Sequence, residues 1–375
     1  MLNNGGRRSA RVGAMWGHVR DAVRRQWPLL LCILILILVF SAAAPDTFPT
    51  LLNVQAISFQ IPEVGLLSLG VMLTMVAAGI DLSVVAMADL SGLAAAQFLH
   101  AFGFTAGGPD SFEMTAVAVI IALAVGTACG TLNGLLIARV GVTPILATLA
   151  TASVFSGAAL VWTGGYSVVS LPGSLRALGS PIALGVPVPI IVFAVAVVGV
   201  AVLLNSTTLG FQIGLVGANS AASRFAGIRL TRVLVATYAT SGLLAGLAGV
   251  MIIARSGSAT PDYGQSYVLL AIVIVVLGGV DLAGGYGSVA GVTLATICLA
   301  VVQEGFITLH LSQFLYQVAQ GLILAGVVGV RLIPSRDLRH RLHRAVAVTR
   351  LAAGEVEPAD RDAPVPKSEP RRPGA

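Results

Sequence analysis

The sequence predicts an all-α polytopic membrane protein of about ten transmembrane helices, and three observations carry that expectation. Of its 375 residues, 56% are hydrophobic and only 10% charged, whereas a soluble domain carries about 25% charged residues. Between Trp27 and Arg331 the only basic residues are Arg139, Arg176, Arg224, Arg229, Arg232 and Arg255, so long stretches can lie in hydrocarbon without burying a cation. Apolar runs approaching the roughly 20 residues that a helix needs to cross a bilayer also recur along the chain.

In order, the candidate spans lie near 28–45, 57–79, 83–102, 114–138, 144–163, 187–204, 233–254, 268–281, 286–308 and 312–331. The first run, "PLLLCILILILVFSAAA", follows arginines and ends in small residues, which is also the pattern of a secretory signal peptide. The long basic stretch before it favours a retained helix. Cleavage would leave an odd number of spans and carry the arginine-rich tail outside. Arg7, Arg8, Arg11, Arg20, Arg24 and Arg25 precede the first run, and Arg336, Arg339, Arg341, Arg344 and Arg350 follow the last. By the positive-inside rule both termini are cytoplasmic, and these arginines orient helices and meet anionic lipid rather than nucleic acid. The chain thus divides into a basic segment (1–27), a transmembrane domain (28–331) and a proline-rich, charged tail (332–375), expected to be disordered.

Alternation then places loop 205–232 and the turns 80–82, 139–143 and 282–285 inside, with loops 103–113 and 164–186 outside. Arg139, Arg224, Arg229 and Arg232 fall inside, against Arg176 and Arg255 outside. The eighth span is short and is followed by Gly278, Gly279, Gly284 and Gly285. A short, glycine-broken helix at membrane depth lines a cavity or packs on neighbours rather than facing lipid. In "SGLLAGLAG", Gly242, Ala245, Gly246 and Gly249 make one smooth helix face, fit either for packing within the subunit or for a dimer seam.

Several chemistries lack their residues. Cys32, Cys129 and Cys298 each sit in an apolar run without ligand spacing, and the five histidines form no metal-binding cluster. No GxxxxGK[ST] phosphate loop occurs. Neither a metal nor another cofactor is expected.

One polar, arginine-bearing stretch interrupts the apolar runs: "GLVGANSAASRFAGIRLTR", residues 214–232. Asn219 can cap a short helix and Gly227 can stop it. Ala221, Ala222 and Ala226 would give a small-residue surface, with Phe225 as an apolar knob and Arg224 as a charge. Such an element either inserts into a groove of a partner protein or simply connects two spans.

"GANSAASRFAGI" resembles the coupling-helix motif of the permease subunits of bacterial ABC importers for ribose, galactose, xylose and related sugars, through Gly217, Asn219, Ala221, Ala222, Gly227 and Ile228. Three further stretches resemble the same family in the same order: "AAGIDLSV" from Ala77, "GTLNGLLIARVGVTPILATLAT" from Gly130, and "VVLGGVDLAGGYGSVAG" from Val275. The likeness covers most of residues 50–330. It departs at "YVLLAI", where Val268 and Leu270 replace two carboxylates often found in the family. The resemblance implies a multi-pass pore subunit of the bacterial inner membrane that binds no nucleotide. Its implied partners are an ATP-binding cassette ATPase docked on the coupling loop, a periplasmic or lipid-anchored solute-binding protein, and a second permease copy.

Polar residues at membrane depth are the candidates for the path or its scaffold. Asp81 either serves function, as a costly intramembrane acid does, or caps a helix starting at Leu82 with help from Ser83. Asp281 lies in "GVDL", echoing "GIDL" at Gly79–Leu82, which suggests a two-repeat core. Asn133, Thr148 and Gln303 either bond between helices or line a path. Asp89 and Glu304 are read as the further acids within spans, and they are the encouragement for an alternative, an ion-coupled secondary transporter. An intramembrane enzyme would need a nucleophile–base pair or a metal cluster, and none is evident.

Overall fold

The computed structural model describes residues 26–179, 182–183, 186–264 and 266–332, so the arginine-rich N-terminal segment and the charged tail lie outside the described residues. The chain runs through α1 (Gln26–Ala43), α2 (Leu51–Val76), α3 (Val84–Ala101), α4 (Phe112–Leu135), α5 (Pro144–Thr163) and the short α6 (Gly173–Gly179). After two paired dipeptides, β1 (Ile182–Ala183) and β2 (Val186–Pro187), follow α7 (Val188–Ser206), α8 (Thr208–Ala218), α9 (Ser220–Phe225), α10 (Leu230–Ser256), α11 (Tyr267–Leu277), α12 (Val289–Thr308) and α13 (Gln313–Leu332). Among the described residues eight helices, α1–α5, α7, α10 and α12, are long and apolar enough to cross a membrane. The two remaining expected spans correspond to the shorter apolar helices α11 and α13. The architecture is that of an all-α polytopic membrane protein.

Glycine decides the closest helix contact. On α4, Gly126, Gly130 and Gly134 recur every four residues. A Cβ on Gly126 or Gly130 would strike the backbone of Gly242 or Tyr238 on α10, and one on Gly134 would lie 2.7 Å from the Val235 Cα. From the other side Gly246 of α10 meets Ala122, with the Ala122 oxygen 2.7 Å from its added Cβ. One turn further along, Gly249 leaves α4 and packs on Ala88 and Gly92 of α3. The smooth face of "SGLLAGLAG" is therefore spent inside the subunit, where close backbone approach replaces the hydrophobic drive that lipid removes.

The outer helix α1 lies along α12. Gln26 sits against Gly291 at one end, and the Phe40 ring covers Gly305 at the other, with Phe48 and Val301 completing an apolar cluster. Between these contacts the Cys32 and Cys298 sulfurs are 3.9 Å apart. Cys32 is exposed rather than part of a core.

Two loops at one end of the helices interlock. The loop after α2 turns at Ala78, and that after α11 carries Gly284 and Gly285 at φ +88° and +86°. The Gly285 N–H donates to the Val76 carbonyl at 2.8 Å, while a Cβ on Gly284 would be 2.8 Å from the Ala78 Cα. Two successive left-handed residues with no room for a side chain are a position that glycine alone fills without strain.

Candidate functional site

Between α7 and α10 the expected loop 205–232 carries two short helices, α8 and α9, rather than a single helical turn. Thr207 caps the apolar α8 by accepting from the Gly210 N–H at 3.1 Å, and the extended backbone of Asn219 (φ −161°, ψ 100°) ends it. Asn219 then caps α9, its Oδ1 accepting from the Ala222 N–H at 2.9 Å. At the far end Gly227 takes φ +81°. The Ile228 and Gly227 N–H groups donate to the Ser223 and Arg224 carbonyls, both at 3.0 Å, which is a Schellman stop. Both expected caps are in place. Ala221, Ala222, Arg224 and Gly227 are exposed and Phe225 is 95% exposed, while Ser223 alone within α9 is buried. Phe225 is thus a bare aromatic on a turn capped at both ends and flanked by small residues.

Gly217 does not share that surface. It is buried, and a Cβ there would strike the Val76 carbonyl and come within 2.6 Å of the Gly285 nitrogen. Gly217 thus seats the end of α8 on the interlocked loops.

Beside those loops the structure gathers Asp81, Ser83, Asn133 and Thr148 into one buried polar node. Asp81 is fully buried, and its Oδ1 accepts from the Ser83 N–H at 3.0 Å and the Ser83 hydroxyl at 2.7 Å. Its Oδ2 lies 3.4 Å from the Ser241 hydroxyl of α10. The Asn133 amide of α4 donates to the Ser83 Oγ at 2.7 Å. Thr148 of α5 accepts from the Leu82 N–H and reaches the Ile80 carbonyl, each at 3.1 Å. The node ties the segment 80–83 to three helices. Helix α3 starts at Val84, and its cap residue Ser83 makes no side-chain cap bond, so Asp81 acts on the residue before the helix rather than on a helix beginning at Leu82. Asn133 Oδ1 and the Tyr238 hydroxyl are buried here without a hydrogen-bond partner among the described residues.

The pattern of bonds predicts how Asp81 variants behave. Asp81→Asn keeps the acceptor that holds Ser83 and removes a charge buried without a cation beside it, so it should cost less than about 1 kcal/mol. Asp81→Ala strands three donors at roughly 1–3 kcal/mol each. Thermal unfolding in detergent should rank wild type and Asn together, well above Ala; equal losses would dismiss the node as a brace.

Asp281 and Gln303 lie elsewhere. Asp281 is exposed, accepting from the Ala283 N–H at 2.9 Å. This is the same bond, two residues on, that Asp81 makes, but without the burial. Gln303 borders a cavity of about 10 Å³ between α2, α11, α12 and α13, at the lower limit for one water. Its neighbour Glu304 accepts from Gln60 at 3.1 Å.

The reading of spans passed over an acid, Glu63. It lies in α2, 1% exposed, with its Oε1 2.7 Å from the Arg255 Nε of α10. The contact is an ion pair that ties α2 to α10. The signal was present in the sequence, an acid after Pro62 in an apolar run, but averaging hydropathy over 20 residues hides a single carboxylate.

The arrangement of apolar helices, an exposed capped turn and interlocked loops fits a transport subunit, and comparison with known proteins decides the family. Residues 53–328 match the family described as "Branched-chain amino acid transport system / permease component". The chain belongs to this permease family. The permease is 35% identical over 306 residues to the ribose import permease of Bacillus subtilis (strain 168), covering 81% of this chain and 92% of the relative. It is 33% identical over 303 residues to the ribose import permease of Escherichia coli (strain K12), covering 79% and 90%. It is also 32% identical over 276 residues to an autoinducer 2 import permease of Yersinia enterocolitica, covering 72% and 80%. No solved structure matches it. With such relatives and eight membrane-length helices, the permease is a multi-pass inner-membrane protein.

Proposed function

We propose that this permease is the pore subunit of an ATP-driven ABC importer for a sugar or related small polar solute. The observation that carries the reading is α9, a helix closed at both ends by Asn219 and Gly227 that presents Phe225 almost wholly to solvent. It is the docking element for an ATPase subunit. ATP hydrolysis belongs to that partner, and the permease itself performs no covalent chemistry. A solute-binding protein, periplasmic or lipid-anchored, delivers cargo at the opposite face, and a second permease copy completes the pore. Both termini are cytoplasmic, as the flanking arginines require.

Asp281 and Gln303 are set aside as path residues in this reading, and Asp81, Ser83, Asn133 and Thr148 are its scaffold. The loss of the two family carboxylates at Val268 and Leu270 leaves the identity of the sugar open to assay, with ribose the first to try. In sealed vesicles holding the permease with its ATPase and binding protein, ribose uptake should require ATP hydrolysis and ignore proton and sodium gradients. Gradient-driven uptake by the permease alone would establish the ion-coupled alternative instead.

A further inference from the structure

Four exposed arginines, Arg139, Arg224, Arg229 and Arg232, stand at the end of the bundle that carries α9. Arg224 directly precedes Phe225 in α9, which packs on α10. Arg229 and Arg232 are the cap and the third residue of α10, and the Arg232 N–H donates to the Arg229 carbonyl at 3.0 Å. Arg139 comes from a distant part of the chain. It lies in a π-helical turn, Leu136–Val140, that continues α4 and is stopped by Gly141 at φ +83°. Leu136 and Ile137 of that turn share an apolar cluster with Leu234 and Tyr238 of α10, so the turn sits beside the start of α10.

None of these four side chains makes an ion pair or a hydrogen bond among the described residues. The opposite end of the bundle is built differently, for Arg255 is paired with Glu63 at 2.7 Å and the Arg176 side chain lies against Gly257. Asp281 is the one exposed acid among the described residues at the α9 end, in the turn whose Gly285 packs on Ala218 of α8. Orienting the chain requires basic residues on this side of the membrane. It does not require two of them at the N-terminus of α10, where the positive end of the helix dipole opposes a cation. Nor does pairing within the subunit hold them there.

Resting on the docking role of α9 given above, we propose that Arg139, Arg224, Arg229 and Arg232 form a basic surface flanking the Phe225 knob, and that the ATPase groove receiving α9 carries acidic side chains along its rim. The two parts do different work. Phe225 is the apolar anchor, which tightens a complex once it has formed. The arginines guide its formation, because charges at the rim of an interface chiefly raise the association rate and make it salt-dependent. A guanidinium fork also takes a carboxylate through two parallel hydrogen bonds, which fixes the register of α9 in the groove. Each exposed pair contributes little by itself, and it is the set of like charges against an acidic rim that excludes a basic partner.

The test titrates the ATPase against the full-length permease in nanodiscs of neutral phosphatidylcholine. Wild-type affinity should fall at least tenfold between about 50 mM and about 500 mM salt, as screening shortens the reach of exposed charges. The combined Arg224→Gln, Arg229→Gln and Arg232→Gln variant should bind about tenfold more weakly at the lower salt, with a flattened salt dependence. It should melt no lower than wild type, because two cations leave the positive end of α10. Arg232→Gln alone should weaken binding about twofold and carries the test if the combined variant fails to fold. Wild-type affinity indifferent to salt would overturn the basic surface. So would variants that bind as wild type in neutral nanodiscs and differ from it only when phosphatidylglycerol is present, which would assign the arginines to lipid headgroups. The docking role of α9 survives either result if Ala222→Asp still sheds the ATPase, and falls with the basic surface if Ala222→Asp binds at wild-type strength.

Discussion

Gly130→Val is expected to remove the folded permease from the membrane almost completely. Gly130 faces the α10 backbone so closely that even a methyl group would strike the Tyr238 carbonyl, and the Gly242 Cα lies 3.0 Å from the added Cβ. Overpacking a core costs about 1–3 kcal/mol when side chains can shift. Here the obstacle is main chain on a helix that also contacts α2, α3 and α6, so nothing flexible can yield and the cost exceeds that range. Gly157→Val in α5 is the control, because a Cβ there meets no atom within 4 Å. Detergent-extracted yield and size-exclusion profile should be normal for the control and collapse for Gly130→Val. Normal behaviour of both would mean that α4 and α10 do not meet through these glycines.

That seam shows which parts of the fold were legible in the sequence. The spans expected at 83–102 and 144–163 correspond to α3 at Val84–Ala101 and α5 at Pro144–Thr163, because glycine, proline or polar residues bracket a single apolar run in each. The smooth face of α10 was equally visible, but its partner was not. Small-residue spacing states how near another helix can come, without saying which helix it is. Helix α8 escaped notice because Thr208, Gly210, Gln212, Gly214 and Gly217 interrupt its 11 residues, whereas the equally short α11 is one unbroken apolar run. Helix α2 begins at Leu51 rather than near 57, since Gln55, Ser58 and Gln60 dilute its hydropathy although Thr50 supplies a cap.

The site divides in the same way. Asn219 and Gly227 act on their own neighbours, so local chemistry was enough to place them. The node is a matter of distant contacts: Asp81 and Ser241 are 160 positions apart, and nothing in either segment names the other. Family resemblance marked Asp81, Ser83, Asn133 and Thr148 as candidates, and the fold joined them. Ser241 and Tyr238 had no such mark and were missed.

Ala222→Asp should abolish ATP-driven uptake while leaving the permease folded. Ala222 is the third residue of α9, and its N–H is already held by the Asn219 side chain. An acid at this position is favourable for the helix itself, because it faces the positive end of the helix dipole and can bond back to the cap residue. The substitution therefore stabilises α9 in isolation. Its Cβ is exposed on the face shared with Phe225, so the carboxylate meets trouble only when a partner covers that face. Burying it there without a cation costs a few kcal/mol, and each 1.4 kcal/mol is a factor of about ten in affinity. ATPase co-purification should fall at least tenfold, and uptake with it, at an unchanged thermal midpoint. Phe225→Ala approaches the same surface from the other direction, removing the apolar knob without adding charge, and should weaken co-purification by a smaller factor. If the ATPase still binds Ala222→Asp at wild-type strength, α9 merely connects two spans, and the docking surface must be sought elsewhere on the permease.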